Sequence, residues 1–177
     1  LSDAELARLG LSRETDLVLD PEGNFFSGDQ PIAHPGIAAG FARWIERTAA
    51  GRYVLRNDLH YVYLEVQGAP LHARAAHSSA AGPILELSGG EQEPLRPETL
   101  RRDAAGVLYA SGRDGTWPIR LDSRALLDLA PLLAEDAAGE PTLVVGGVEY
   151  PIRAVVDPLA SPDPRPGADP APDATPG

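Results

Sequence analysis

The feature that most constrains the fold is an order of local patterns that occurs twice in the chain. In each copy, two short apolar segments flank a Gly turn, an amphipathic helix follows, and a β-hairpin closes the unit. Leu17 opens the first copy and Val107 the second, 90 positions later, and Tyr61 and Tyr150 lie 89 positions apart. This spacing predicts a duplicated strand-strand-helix-strand-strand unit, although two unrelated segments could also share one element order.

The helix of each copy follows a Pro-Ile pair, in "GNFFSGDQPI" and in "GTWPI". The first stretch has seven positions from its aromatic to its Ile and the second has two, so the second copy is expected to lack a small turn. In the first copy Pro35 suits the first helical position, where its missing N–H costs nothing. Ile37, Phe41, Trp44 and Ile45 then form one apolar stripe, which predicts a helix face turned toward a core.

In the second copy, Asp122 or Ser123 can cap the helix, and Pro131 should kink or restart it. The closing hairpins are indicated by Asn57-Asp58 in the first copy and by Gly146-Gly147 in the second.

These patterns predict an α+β fold of antiparallel sheets. We expect an N-terminal helix in residues 1–14, a first lobe in 15–78 and a second lobe in 79–157. Ser2 can cap this helix, Gly10 supplies its left-handed stop, and the apolar stripe of Leu6 and Leu9 should dock on the rest of the protein. The tail, residues 158–177, has seven prolines and no aromatic residue. Such a segment cannot bury enough apolar surface to order itself, so we expect it to be disordered.

Composition excludes several classes of function. The net charge is −11, whereas backbone-mediated binding of DNA or RNA needs a basic face. There is no cysteine for a disulfide or a thiolate nucleophile, and all fifteen basic residues are arginines. No apolar run is long enough to span a membrane. We therefore expect a cytoplasmic protein that binds neither nucleic acid nor membrane.

The common catalytic and metal-binding signatures are also missing. A P-loop needs a lysine, and no Gly-rich dinucleotide loop, nucleophile elbow or His-Glu-x-x-His motif is present. The four histidines, at positions 34, 60, 72 and 77, do not fall at metal-ligand spacings on one strand or helix. We predict no catalytic residue, no metal and no cofactor. A hydrolase with an unrecognised pair of carboxylates stays as the least favoured alternative.

Strand alternation indicates which side chains turn away from the lobe cores. If Val62, Leu64 and Leu71 face inward, their neighbours in sequence face the opposite side of each strand. The outward set predicted in this way is Tyr61, Tyr63, His72, Arg74 and Arg120. On a wall between two lobes, such residues could stack a base on a ring and hold a phosphate with arginine. Alternatively, they join the lobes or lie in solvent.

Several stretches of the chain resemble the bacterial domain-of-unknown-function family 1285. They include "LDPEGNFFSGDQPIAHPGIAAGF", "GRYVL", "LEVQGAPL" and "LELSGGEQEPLRPETLRRDAAGVLYASGRDGTWPIRL", and the likeness spans most of residues 15–135. At "VQGAP" the family tends to have an acidic residue in place of Gln67 or Gly68. The resemblance implies a domain duplication whose C-terminal half is similar to pleckstrin-homology-like barrels. It also implies a nucleotide-like ligand between the lobes and a part in signal transduction, without enzymatic activity.

Two functions are therefore predicted. The first is a non-enzymatic ligand-binding or signal-transduction module that holds a nucleotide-like anion between its lobes. The second is a protein-interaction adaptor without a small-molecule ligand, for which the Pro-rich tail would serve as a linker or as a partner's attachment point.

Overall fold

The computed structural model describes residues 3–10, 12–58 and 60–160. These residues form short helices and many short strands, so the predicted α+β class is confirmed. The helices are α1 (Asp3–Arg8), α2 (Pro35–Arg43) and α3 (Ser123–Leu129), with single 3-10 turns at Pro97–Thr99 and Ala130–Leu132. None of the described helices is long or apolar enough to cross a membrane.

Seventeen strands are found in the described residues. The first seven are β1 (Leu17–Leu19), β2 (Phe25–Ser27), β3 (Gln30–Pro31), β4 (Ile45–Arg47), β5 (Tyr53–Arg56), β6 (Tyr61–Tyr63) and β7 (Glu65–Val66). The next five are β8 (Leu71–Ser79), β9 (Gly82–Leu87), β10 (Gln92–Pro94), β11 (Arg101–Arg102) and β12 (Leu108–Gly112). The last five are β13 (Trp117–Leu121), β14 (Leu133–Glu135), β15 (Pro141–Val145), β16 (Val148–Pro151) and β17 (Arg153–Ala154).

The strands form four open sheets. Their orders are β3-β2-β1-β7, β4-β5-β6, β14-β15-β16, and a seven-stranded sheet β10-β9-β8-β13-β12-β11-β17. Most pairs are antiparallel, as predicted, but three pairs are parallel: β1 with β7, β11 with β17, and β13 with β8. Among the described residues no sheet closes on itself, so the barrel expected for the C-terminal half is not seen as a closed barrel.

Two parts of the structure have the same strand order and register. We call residues 17–66 the first unit and residues 101–154 the second unit. Val18 in β1 and Arg101 in β11 are 83 positions apart. Val18 pairs with Phe26 of β2 and Arg101 pairs with Tyr109 of β12, and these two partners are also 83 positions apart. Val18 also pairs in parallel with Glu65 of β7, and Arg101 with Arg153 of β17, which lies 88 positions after Glu65. The hydrogen-bond pattern therefore relates the units at spacings of 83 and 88.

This register corrects three details of the sequence prediction. At a spacing of 83, Leu17 corresponds to Leu100, so the second unit does not open at Val107 as predicted. Tyr150 pairs with Leu143 as Val62 pairs with Leu55, so Val62 and not Tyr61 is the counterpart of Tyr150. The second unit also has the longer first hairpin, because a two-residue turn joins β2 to β3 whereas residues 113–116 join β12 to β13. The expectation that the second copy lacks a turn was therefore wrong. It came from aligning Phe25 of β2 with Trp117 of β13, although the counterpart of β2 is β12.

One turn geometry recurs four times in the two units. The carbonyl of its first residue accepts a hydrogen bond from the N–H of the residue three positions later, and the N–H of its first residue donates to the carbonyl of the residue four positions later. The side-chain oxygen of the first residue also accepts from the N–H of the residue four positions later. The first residues are Asp20, Thr48, Asp103 and Asp136. The fourth residues are Gly23, Gly51, Gly106 and Gly139, with φ of +84°, +83°, +82° and +80°. Only glycine adopts this backbone without cost, which explains the x-x-x-Gly spacing.

The long strand β8 belongs to the seven-stranded sheet and not to the first unit. It pairs antiparallel with β9 and parallel with β13. The predicted lobe boundary between residues 78 and 79 therefore falls inside this strand. Its inner side and β13 supply much of the core, in which Ala73, Leu85 and Ile119 are fully buried. Trp117, Ile119 and Leu121 face inward, as strand alternation predicted.

Helix α2 is less buried than its apolar stripe predicted. Ile45 is buried in β4 and Phe41 is half-buried, but Ile37 and Trp44 are 48% and 41% exposed. In the seven-stranded sheet, β8 pairs with β13 of the second unit and packs against α3, where Ala125 is fully buried. The equivalent sheet of the first unit ends at β3, so no described strand covers α2 in the same way.

The outer edge of the first unit carries a proline. Ile32 donates its N–H to the carbonyl of Phe25 in β2, so alternation leaves the nitrogen of Pro31 on the opposite side of β3. Gln30 and Pro31 are both exposed. Pro31 has no N–H to offer at this edge.

At the N-terminus, α1 ends at Arg8, and Gly10 follows it with a φ of +68° and an N–H bond to the carbonyl of Ala7, which match the predicted helix stop. The predicted cap, Ser2, lies outside the described residues. Leu9 is 64% exposed, so the expected docking of this helix face is not observed. Most of the predicted Pro-rich tail, residues 161–177, also lies outside the described residues.

Candidate functional site at the seam between the units

The first unit touches the seven-stranded sheet through the turn that joins β1 to β2. Arg74 of β8 donates from Nη2 to the carbonyl of Gly23, at 2.9 Å, and from Nη1 to the carbonyl of Glu22, at 3.4 Å. Arg120 of β13 donates to the carbonyl of Pro21. We call this contact the seam, formed by residues 20–24 with His72, Arg74, Arg120 and Asp122.

Gly23 lets the turn approach the sheet closely. A Cβ on this residue would lie 2.7 Å from Cγ and Nδ1 of His72 and 2.8 Å from Nη2 of Arg74. Gly23 is itself buried and has a φ of +84°. The glycine is therefore needed twice, for the backbone conformation of the turn and for the space at the seam.

His72 was predicted to face the space between the units, but it is only 2% exposed and its ring is not open to that space. The turn covers it. Its Nε2 lies 3.1 Å from the carbonyl oxygen of Ala69, and its Nδ1 lies 3.5 Å from Oδ1 of Asp122. Because a carbonyl and a carboxylate both accept, the two contacts are hydrogen bonds together only when both ring nitrogens carry protons.

Asp122, at the end of β13, connects the basic residues of the seam. Its other oxygen, Oδ2, accepts a hydrogen bond from Nη1 of Arg74. Burial acts to raise the pKa of Asp122, but the hydrogen bond from His72 and the charge of Arg74 outweigh it. The pKa of Asp122 therefore lies below its ordinary value, and the carboxylate is held in its charged form.

Arg120 is held less completely than Arg74. Its Nη1 lies 3.7 Å from Oε1 of Glu22 in addition to its bond with Pro21. The side chain is 22% exposed, and its Nε is buried without a hydrogen-bond partner among the described residues. A buried guanidinium donor without a partner loses hydration that nothing replaces.

A cavity of about 470 Å³ lies beside Arg120. It is lined by Glu22 of the first unit, by the turn residues 105–107, and by Asp122, Ser123 and Arg124 at the start of α3. Leu121 and Leu126 supply apolar surface. The volume and the mixture of apolar wall and few polar groups are typical of small-molecule sites.

Tyr61 and Tyr63 do not lie at the seam. They lie on strand β6, where the planes of their rings are at 84° to each other. The guanidinium of Arg13 lies 4.1 Å from the ring centre of Tyr61, and that of Arg52 lies 3.4 Å from the ring centre of Tyr63. Arginines thus cover both rings through cation–π contacts. The structure therefore brings together three of the five predicted residues, His72, Arg74 and Arg120.

Sequence reasoning missed the role of Asp122 in this cluster. The pattern marked it as a helix cap, and it is the residue before α3, but its side chain makes no capping hydrogen bond. Its carboxylate turns to His72 and Arg74 instead. Among the described residues, no group of three or more His, Asp or Glu side chains could hold a metal ion.

Comparison with solved structures gives two matches over most of the chain. A DUF1285 family protein from Silicibacter pomeroyi DSS-3 aligns with a TM-score of 0.59 and 20% identity over 78% of this chain and 80% of that protein. A DUF1285 family protein from Shewanella baltica OS155 aligns with a TM-score of 0.52 and 14% identity over 68% of this chain and 94% of that protein. The chain has a DUF1285-like fold.

This confirms the resemblance that the Gly turns and Pro-preceded helices indicated. A scan against protein-family models and a search of curated proteins found no match. At 14% and 20% identity, the likeness to the DUF1285 structures concerns the fold. Function must therefore be argued from the residues of the seam.

Proposed function

We propose that this DUF1285-like chain is a non-enzymatic binding module that holds a small, nucleotide-like anion in the cavity at the seam. The observation that carries the proposal is the position of Arg120. It lines a cavity of about 470 Å³ that residues of both units border, and its side-chain hydrogen bond to the carbonyl of Pro21 leaves other N–H donors of the partly exposed guanidinium for a ligand. A phosphate oxygen accepts from a guanidinium with a strong, charge-assisted hydrogen bond.

The other charges of the seam fit this division of roles. Arg74 is saturated by two carbonyls of the turn, the hydroxyl of Ser88 and the carboxylate of Asp122, so it holds the units together. Arg120 and Arg124 border the cavity, and the Ser123 hydroxyl offers a further polar group. Glu22 and Asp122 also border it, which favours a ligand with a limited negative charge that contacts the arginine side.

The duplication is part of the proposal. The shared strand order, the spacings of 83 and 88 and the recurring Gly turn support an origin of both units from one ancestral unit. After a duplication, the two surfaces that meet at the seam can change independently, so that some residues hold the units together while others bind a ligand. A part in signal transduction, and a pleckstrin-homology-like relationship of the C-terminal half, belong to the same proposal.

Titration of a nucleotide panel by calorimetry tests the seam. We expect at least one nucleotide to bind, and Arg120→Ala to weaken its affinity about tenfold, since one charge-assisted hydrogen bond contributes about 1.5 kcal/mol. Arg153→Ala, an exposed arginine on β17, is the matched control and is expected to leave the affinity unchanged. Absence of binding at millimolar nucleotide contradicts the proposal.

A protein-interaction adaptor is the second candidate, and the exposed face of α2 favours it. Ile37 and Trp44 together present a large apolar surface beside half-buried Phe41. Paired aromatic and aliphatic side chains of this kind anchor protein interfaces. We expect Ile37→Ser with Trp44→Ser to abolish capture of protein partners, whereas Leu127→Ser, at an even more exposed apolar residue of α3, leaves capture intact. Partners that disappear only when residues 158–177 are removed would assign the interaction to the tail.

A further inference from the structure

Three arginines meet at the tip of the β12–β13 hairpin, away from the residues of the seam. Arg47 comes from β4, Arg96 precedes the first 3-10 turn, and Arg113 begins the tip itself. In a chain with a net charge of −11, this is a local concentration of positive charge contributed by three separate elements. We call Arg47, Arg96 and Arg113 the tip arginines.

Two of the tip arginines are fixed against Trp117. The guanidinium carbon of Arg113 lies 4.3 Å from the ring centre of Trp117, and that of Arg47 lies 5.2 Å from it. Arg113 also donates from Nη1 to the carbonyl of Ile45, at 2.9 Å. Its φ of +42° is unusual for a residue with a side chain. The structure thus holds this guanidinium in place at the expense of a strained backbone.

Arg96 approaches the same tip, and its carbonyl accepts from Thr99, but its guanidinium has no hydrogen bond to a described residue. A Cβ on Gly115 would lie 2.9 Å from Nη1 of Arg96, so the glycine leaves room for the guanidinium against the tip backbone. Arg47 donates from Nη2 to the hydroxyl of Thr116, at 3.0 Å. A guanidinium offers several N–H donors in a planar fork, and most of these on Arg47 and Arg96 have no protein acceptor among the described residues.

Two carboxylates lie near the tip arginines. Asp114 is exposed, and its Oδ1 accepts from the hydroxyl of Thr116 at 2.6 Å. Hydrogen bonds from Thr116, followed by the charges of Arg47 and Arg96, lower the pKa of Asp114. Glu93 accepts the backbone N–H of Arg113, at 2.8 Å. The three positive charges are therefore not fully balanced by these two carboxylates.

We propose that the tip of this hairpin is a second binding site, which takes the phosphate group of an inorganic ion or a monoester between Arg47 and Arg96. Asp114 is the internal anion that competes with the ligand for these arginines. The first unit joins its equivalent strands with the two residues Gly28 and Asp29, so the longer tip is not needed to close the hairpin. The proposal does not rest on ligand binding at the seam.

The test uses the full chain and its two tryptophans. Inorganic phosphate and ribose 5-phosphate are titrated in separate arms, and the indole N–H signals are followed by NMR. We expect the signal of Trp117 to shift and that of Trp44, whose ring packs near Phe41, to shift much less. Arg96→Gln is expected to weaken binding about tenfold, and Asp114→Asn to tighten it several-fold, because one charge-assisted contact is lost or one competing charge removed.

Arg153→Gln is the matched control, an exposed arginine outside the tip that should leave both affinities unchanged. Equal affinity for the two probes shows that the oxyanion alone is recognised, and tighter ribose 5-phosphate assigns the site to monoesters. No shift of Trp117 at millimolar probe overturns the proposal, as does an Asp114→Asn variant that binds no better than the natural chain. Thermal melting of each variant separates loss of binding from loss of folding.

Discussion

Replacement of Gly23 by alanine is expected to reduce the free energy of unfolding by about 3 kcal/mol, from positive φ together with overpacking. The new methyl group would lie within 2.8 Å of both His72 and Arg74, and neither neighbour can retreat without breaking its own contacts. Urea unfolding followed by circular dichroism measures the loss.

Gly106→Ala separates the two causes of this effect. Gly106 takes the same position in the turn that starts at Asp103, with a φ of +82°. Among the described residues nothing lies within 4 Å of a Cβ built there. We expect only the backbone cost, about 1 kcal/mol. Equal losses of unfolding free energy in Gly23→Ala and Gly106→Ala would mean that the β1–β2 turn does not pack closely against the sheet, which contradicts the contacts described for the seam.

Asp122→Asn is expected to reduce the free energy of unfolding by about 2 kcal/mol at neutral pH, because hydrogen bonds to charged groups are worth more than neutral ones. The amide keeps the shape of the side chain but removes the charge that faces Arg74 and His72. His72 is buried and cannot replace this partner with water. Glu140→Gln, in an ion pair whose acid is 64% exposed, is the matched control and should cost well under 1 kcal/mol.

The effect of Asp122→Asn should depend on pH in a defined direction. Because the pKa of Asp122 is lower in the folded chain than in the unfolded chain, the carboxylate stabilises the fold fully above its ordinary pKa. This contribution is lost as the pH falls through the lowered folded pKa. Stabilities of the natural chain and the variant should therefore converge in acid, below a pH of about 4. A difference that stays constant down to the acid transition would show that the charge of Asp122 is not what matters.

Local patterns in the sequence were sufficient for most elements of the fold. Asn57 with Asp58 indicated the β5–β6 hairpin, and Gly146 with Gly147 the β15–β16 hairpin, because these pairs adopt turn conformations at little cost. Pro131 likewise predicted the break after α3, where the helix gives way to a 3-10 turn. Each of these signals depends only on residues a few positions apart, so a single sequence is enough to recognise it.

Long-range pairing could not be obtained in the same way. Nothing near β8 specifies that it pairs in parallel with β13, some fifty positions away, instead of closing the first lobe. For this reason strand alternation placed Arg74 and Arg120 on the correct side but could not show that the β1–β2 turn covers them. The same alternation gave Tyr61 and Tyr63 an outward side, and only the arrangement of sheets shows that arginines occupy it.

The proline at the outer edge of β3 limits how this protein can associate. A strand from another molecule that joined this edge would find no donor at Pro31, where the second unit has Arg120 facing β8. Growth of the sheet into a continuous intermolecular ladder is therefore blocked at the side where the first unit is open. Any self-assembly on that side has to depend on side-chain packing instead of on shared backbone hydrogen bonds.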